Sequence, residues 1–182
     1  MLVISLAGQT TRRTPAALHA AAFSNITIGF QSVVTLLPGA FEVRRADNSL
    51  VGVDVLSFVQ GARTYAYLTF TGADIVAGSL ADGNYRLVIN ADRVRNRVGR
   101  ALDGDGSGTP GGNFTDAFYR LFGDADGDRD VDADDQMILQ TAFGTRVGDD
   151  TYLYFFDFGG DGDIDADDFV PFANRYGARL EP

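Results

Sequence analysis

The sequence predicts a mainly β chain. An antiparallel sandwich spans residues 1–116, and a small α-helical unit follows over 117–182. Two observations carry this. Short runs in the first part alternate apolar with small or polar residues, which is the period of half-buried strands. Past residue 116 the alternation gives way to an internal repeat with an offset of 33 residues, such as Tyr119 to Tyr152. Each unit reads as an aromatic segment, an Asp-rich loop, a short apolar-faced helix and a Gly stop. Neither unit can bury its apolar face alone, so the two are expected to pair.

The expected strands are Ile26–Phe30, Phe41–Val43, Val51–Val55, Ala66–Phe70 and Tyr85–Ile89. Between them lie turn residues: Pro38-Gly39, Asp47-Asn48, Gly61–Arg63 and Ala81–Asn84. Short strands at regular spacing with such turns argue for a sandwich. Tyr85 follows the turn Asp82-Gly83-Asn84, where a corner tyrosine would hydrogen-bond back to the backbone. The apolar run Met1–Gly8 reads as a strand, since it lacks the basic start of a signal peptide. Residues 1–15 are read as a strand arm and linker, and the export signal is expected to be absent from this chain. Residues 103–116 are Gly-rich and read as a loop at the domain boundary, with helical character expected beyond it.

The formal net charge is −10, which makes nucleic acid and anionic membranes poor partners. No apolar stretch is long enough to span a membrane. Cys and Lys are both absent, so disulfides, thiolate chemistry and lysine Schiff bases are excluded. The acidity is uneven. Of 25 acidic residues only Glu42 and Glu181 are Glu, and thirteen Asp fall within 124–135 and 157–168. Short carboxylates at alternate positions suit a hard cation with oxygen ligands.

The first loop places Asp124, Asp126, Asp128, Asp132 and Asp135 at positions 1, 3, 5, 9 and 12, with the carbonyl of Asp130 at position 7. The second places Asp157, Asp161, Asp163, Asp165 and Asp168 at positions 1, 5, 7, 9 and 12. This is EF-hand spacing, so two calcium ions are expected. Position 8 is apolar in both, Val131 and Ile164, as if each loop paired with the other. Position 6, Gly in most such loops, is Arg129 in the first and Gly162 in the second. Position 3 of the second is Gly159, which offers no side-chain ligand, so the second site is expected to be the weaker. A third candidate calcium site comprises Asp103, Asp105 and Ser107 with Asp116. The competing reading of that stretch is a flexible Gly-rich linker.

Two resemblances follow. Ile26-Thr-Ile-Gly-Phe30, Leu37-Pro-Gly-Ala-Phe41, Leu80-Ala-Asp-Gly-Asn-Tyr85 and Val98-Gly-Arg-Ala-Leu-Asp103 resemble the Ig-like domains of bacterial surface proteins over roughly 20–116. The paired loops ending in Asp135 and Asp168 resemble the dockerin family over about 120–182. That second resemblance implies calcium binding and, where positions 10 and 11 carry Ser or Thr, cohesin docking. Here those positions are Ala133-Asp134 and Ala166-Asp167, which turns the expectation from cohesin docking towards structural locking.

No enzyme is expected. The only His, His19, lies in an Ala-rich stretch with no nucleophile or orienting carboxylate placed around it. The expected role is an extracellular or cell-surface structural or adhesive module, with Met1–Gly8 able to add to a neighbour's sheet and build a filament or other homo-oligomer. The simpler alternative pairs that strand within its own sandwich. Two other readings stand: an anchoring adaptor for a cohesin-like partner, and a small glycan-binding domain using the outward-facing Tyr65 and Tyr67. Asn25-Ile-Thr27 and Asn113-Phe-Thr115 match the glycosylation pattern.

Overall fold

The computed structural model describes residues 2–6, 18–19 and 25–182. Its strands in order are β1 (Leu2–Leu6), β2 (Leu18–His19), β3 (Asn25–Phe30), β4 (Val34–Leu36), β5 (Phe41–Arg45) and β6 (Leu50–Gln60). They continue as β7 (Arg63–Thr71), β8 (Ile75–Val76), β9 (Ser79–Leu80), β10 (Gly83–Ile89), β11 (Val94–Asn96) and β12 (Phe114–Arg120). Two short helices follow, α1 (Ala133–Ala142) and α2 (Ala166–Ala173). The chain is thus mainly β, and all five expected strands are present.

The main sheet runs β1-β3-β7-β6-β5-β10-β12-β2 and is antiparallel except where β12 meets β2. It curls into a half-barrel. Ile26 and Ile28 on β3, Ala66 and Leu68 on β7, Val43 on β5, and Leu87 and Ile89 on β10 therefore meet in one buried core. Alternation explains their inward aim: on β7 the residues Thr64, Ala66, Leu68 and Phe70 are buried while Tyr67 and Thr69 are exposed. The Tyr85 hydroxyl donates to the Ala81 carbonyl at 2.7 Å, as a corner tyrosine should. Leu2–Leu6 pairs with β3 of its own sheet, Leu2 opposite Phe30 and Leu6 opposite Ile26. The rest of the expected arm and linker lies outside the described residues.

One expectation needs correcting. Phe114–Asp116 is not loop, and the residues after it are not helical. They form β12, which pairs with β10 from Ile89↔Phe114 to Gly83↔Arg120. The Gly-rich run before it and the Phe118-Tyr119 doublet within it obscure the period of two. This strand also joins the two halves of the molecule. Phe118 enters the sheet's core, whereas Tyr119 enters a second core with Phe122, Val131, Leu139, Phe156, Ile164 and Phe172.

Asp82, in the turn before β10, fastens these parts together. Its Oδ1 accepts from the Arg120 guanidinium and from the Phe122 N–H, the latter at 2.9 Å. Its Oδ2 accepts from Arg175 Nε at 2.5 Å. The Phe122 ring receives both guanidiniums, Arg120 at 5.5 Å and Arg175 at 5.4 Å from its centroid. Arg120 is buried. Its burial lowers the guanidinium pKa, an effect that the Asp82 carboxylate opposes.

Candidate metal centre

Each Asp loop is wound by its own carboxylates before any cation is considered. Asp124 is buried, and its two oxygens accept the Gly127 N–H at 2.7 Å and the Arg129 N–H at 3.0 Å. Asp128 accepts the Asp130 N–H at 3.0 Å. At the end of the loop Asp132 is the N-cap of α1, and it forms a capping box with Asp135. Asp135 is buried, and it accepts from Ala125 N at 2.7 Å and from Asp132 N at 2.8 Å. Positions 9 and 12 thus start the helix while holding their oxygens beside that of Asp130.

The second loop repeats this pattern. Asp157 accepts from Gly160 N at 2.6 Å and Gly162 N at 3.0 Å. Asp168 accepts from Phe158 N at 2.6 Å and Asp165 N at 2.9 Å, and Asp165 caps α2. A difference appears at position 3. In the first loop Asp126 accepts the Asp128 N–H at 3.2 Å. Gly159 has no carboxylate, and the Asp161 N–H turns instead to Asp157 at 3.2 Å.

This difference changes how the oxygens gather. In the first loop Asp124, Asp126 and Asp128 bring carboxylate oxygens within 4.8 Å of one another, and so do Asp130, Asp132 and Asp135. In the second, Asp163, Asp165 and Asp168 do the same. Asp157 and Asp161 form no such group of three. Nor do Asp103, Asp105 and Asp116. There Asp103 accepts the Gly108 N–H at 2.9 Å and Asp105 the Ser107 N–H at 3.0 Å, so both serve the local turn. Asp116 lies on β12 opposite Leu87.

The donor set fits a hard cation. All donors are oxygens, which suits calcium or magnesium rather than a softer metal. Burial and neighbouring carboxylates push Asp126, Asp130 and Asp163 above the ordinary Asp pKa. Burial also raises Asp135, although its backbone hydrogen bonds oppose the shift. Asp130 Oδ1 is buried and has no hydrogen-bond partner. A divalent cation would relieve this crowding, and its ligands would be Asp124, Asp126, Asp128, Asp130, Asp132 and Asp135 in the first loop. In the second they would be Asp157, Asp161, Asp163, Asp165 and Asp168.

Sequence reasoning missed two supports of these loops and misjudged a third. The Tyr119 hydroxyl donates to Asp124 at 2.7 Å, and Tyr152 donates to Asp157 at 2.7 Å. Burial first, and then these carboxylates, push both phenols above the ordinary Tyr range, so each stays a donor. The repeat alignment of Tyr119 with Tyr152 was the available signal. The second support is Arg129, whose φ of 80° is left-handed. Its guanidinium lies 4.1 Å from the Tyr119 ring centroid and donates to Asn84 on β10 at 3.0 Å. Arg129 thus docks the loop on the sheet.

The third support concerns Val131 and Ile164. Both are buried in the second core, but their backbones do not pair with each other. Val131 bonds to Gly177 and Ala178, which follow α2, and Ile164 bonds to Gly144 and Thr145, which follow α1. Gly144 and Gly177 have φ of 82° and 83°. That left-handed turn lays the chain leaving each helix against the other unit's loop.

Tyr65 and Tyr67 point away from the core as expected, and Tyr67 is exposed. Phe58 stacks on both, at 5.6 and 5.5 Å between centroids. Compared with family models, curated proteins and solved structures, the chain matches none. No helix among the described residues is long and apolar enough to cross a membrane.

Proposed function

We propose that this chain is a non-catalytic structural or adhesive module of a bacterial surface or secreted protein, with an Ig-like sandwich locked to a dockerin-like unit by calcium. One observation carries the reading. Two loops of the same hydrogen-bonded design gather only carboxylate oxygens, and both are built into the second core through Val131 and Ile164. Calcium would supply positive charge at the centre of each loop, balancing the carboxylates. The turn from β9 to β10, the entry to the first loop and the end of α2 already converge on Asp82. Ordering the loops therefore stiffens the join between sheet and helices. The Tyr85 hydroxyl bond supports the Ig-like part of the reading.

Calorimetric titration with calcium, alongside melting curves with and without chelator, tests the proposal. Two sites and a calcium-raised melting temperature are expected. Heatless titration and an unchanged melt would rule it out.

The adaptor reading has one observation in its favour. Phe143 and Tyr176, equivalent in the repeat, are both exposed, as is Phe169, and Phe143 meets Phe169 at 6.4 Å between centroids. A pull-down with a cohesin domain, with and without chelator, separates this reading from the first.

A further inference from the structure

Strand β6 is longer than its neighbours cover. Strand β5 pairs with it only at Leu50 and Val51. From Val53 to Gln60 it is paired along one edge, by β7, among the described residues. Its odd-numbered residues share the face of buried Val51, and its even-numbered residues share the opposite face. Apolar side chains are exposed on both: Val55 at 48% and Val59 at 54% on the first, Leu56 at 68% and Phe58 at 38% on the second. Natural proteins guard open edges with Lys, Pro, bulges or short strands. Between Val53 and Gln60 there is no Lys or Pro, and Asp54 is the only charge. The occupant this edge fits is a strand that is apolar on both faces.

The segment Asp54-Val-Leu-Ser-Phe-Val-Gln60 has similar chemistry read from either end. Set antiparallel against its own copy with Ser57 opposite Ser57, it places Val55 opposite Val59 and Leu56 opposite Phe58. The Asp54 carboxylate then faces the Gln60 amide rather than another carboxylate, avoiding a like-charge pair. A slip by two residues sets Val55 against Ser57 and Asp54 against Phe58, or Leu56 against Gln60. Face matching forbids a slip by one. Stacking between Tyr65 and Tyr67 also fixes the Phe58 ring in place.

We propose that this edge pairs with the same edge of a second copy of the chain, giving a closed two-fold dimer with one sheet running through both copies. The pairing needs no cation and stands apart from the Asp loops.

The chain has no Cys, so Ser57→Cys supplies one thiol per copy, and the two meet at the axis. Wild-type protein should sediment as a dimer. Under mild oxidation Ser57→Cys should cross-link roughly tenfold faster, or more, than Thr109→Cys on the exposed Gly-rich loop, because pairing raises the local thiol concentration. The double variant Leu56→Lys, Val59→Lys should sediment as a monomer with an unchanged circular dichroism spectrum. Monomeric wild-type protein, equal cross-linking rates, or a folded double variant that still dimerises would each overturn the proposal. If the double variant does not fold, the cross-linking ratio decides.

Discussion

The guanidinium of Arg129 lies 4.1 Å from the centroid of the Tyr119 ring. Arg129 also donates to Asn84 on the sheet, and Tyr119 donates to Asp124 in the first loop. A left-handed residue, a sheet strand and the first carboxylate of the loop therefore form one connected set.

Arg129 is expected to trade backbone strain for docking. Arg129→Ala keeps the left-handed φ and loses both contacts, whereas Arg129→Gly loses the contacts but removes the strain. The glycine variant should be more stable than the alanine variant by about 1 kcal/mol, the cost of a left-handed L-residue. Urea unfolding of the two side by side measures this. Equal stabilities would mean that residue 129 does not hold this conformation in solution.

Tyr119→Phe and Tyr152→Phe remove one hydroxyl each, beside carboxylates proposed as ligands. Loss of such an outer partner weakens metal affinity by roughly tenfold. Each change should affect its own loop and leave the other within error. Calorimetry of both variants checks this, and an unchanged affinity would assign the hydroxyls a purely packing role.

The loops should differ in strength because Gly159 leaves one position without a carboxylate. Asp135→Ala is expected to abolish the tighter calcium site and Asp168→Ala the weaker one. Calcium at about 100 times its Kd for one site would add about 2.7 kcal/mol of stability. If Asp135→Ala retains the tighter site, the ranking fails.

Asp82→Ala strips the buried Arg120 of its carboxylate partner. Leaving such a charge unpaired costs about 3–5 kcal/mol. Arg120→Met, which removes the charge and keeps apolar bulk, should cost less. Chemical denaturation of both variants tests the order, and a larger loss in Arg120→Met would contradict it.

Ile26–Phe30 and Ala66–Phe70 were legible because one face of each is more deeply buried than the other, which gives a clear period of two. β12 was not, because its residues serve two cores: Phe118 points into one and Tyr119 into the other, which breaks the simple alternation. The loop carboxylates were legible from spacing alone. Their supports were less so. Asp82, Arg120 and Arg175 are far apart in sequence, and no local pattern marks three residues that meet only after the sheet has formed. Arg129 looked like a flaw at a glycine position, since its partners Asn84 and Tyr119 are brought to it by the fold. The partners of Val131 and Ile164 were misjudged for a similar reason. Position 8 shows that a backbone partner is needed, but not which segment supplies it.

That exchange of partners has a consequence for how the molecule is made. Val131 in the first loop bonds to Gly177 and Ala178, which leave the ribosome only after the whole second unit. The backbone bonds that hold Val131 therefore form only once residues 177 and 178 have been made. The two units thus fasten each other like a clasp, and a chain cut before Gly177 forfeits the bonds that hold Val131 while keeping those of Ile164 to Gly144 and Thr145.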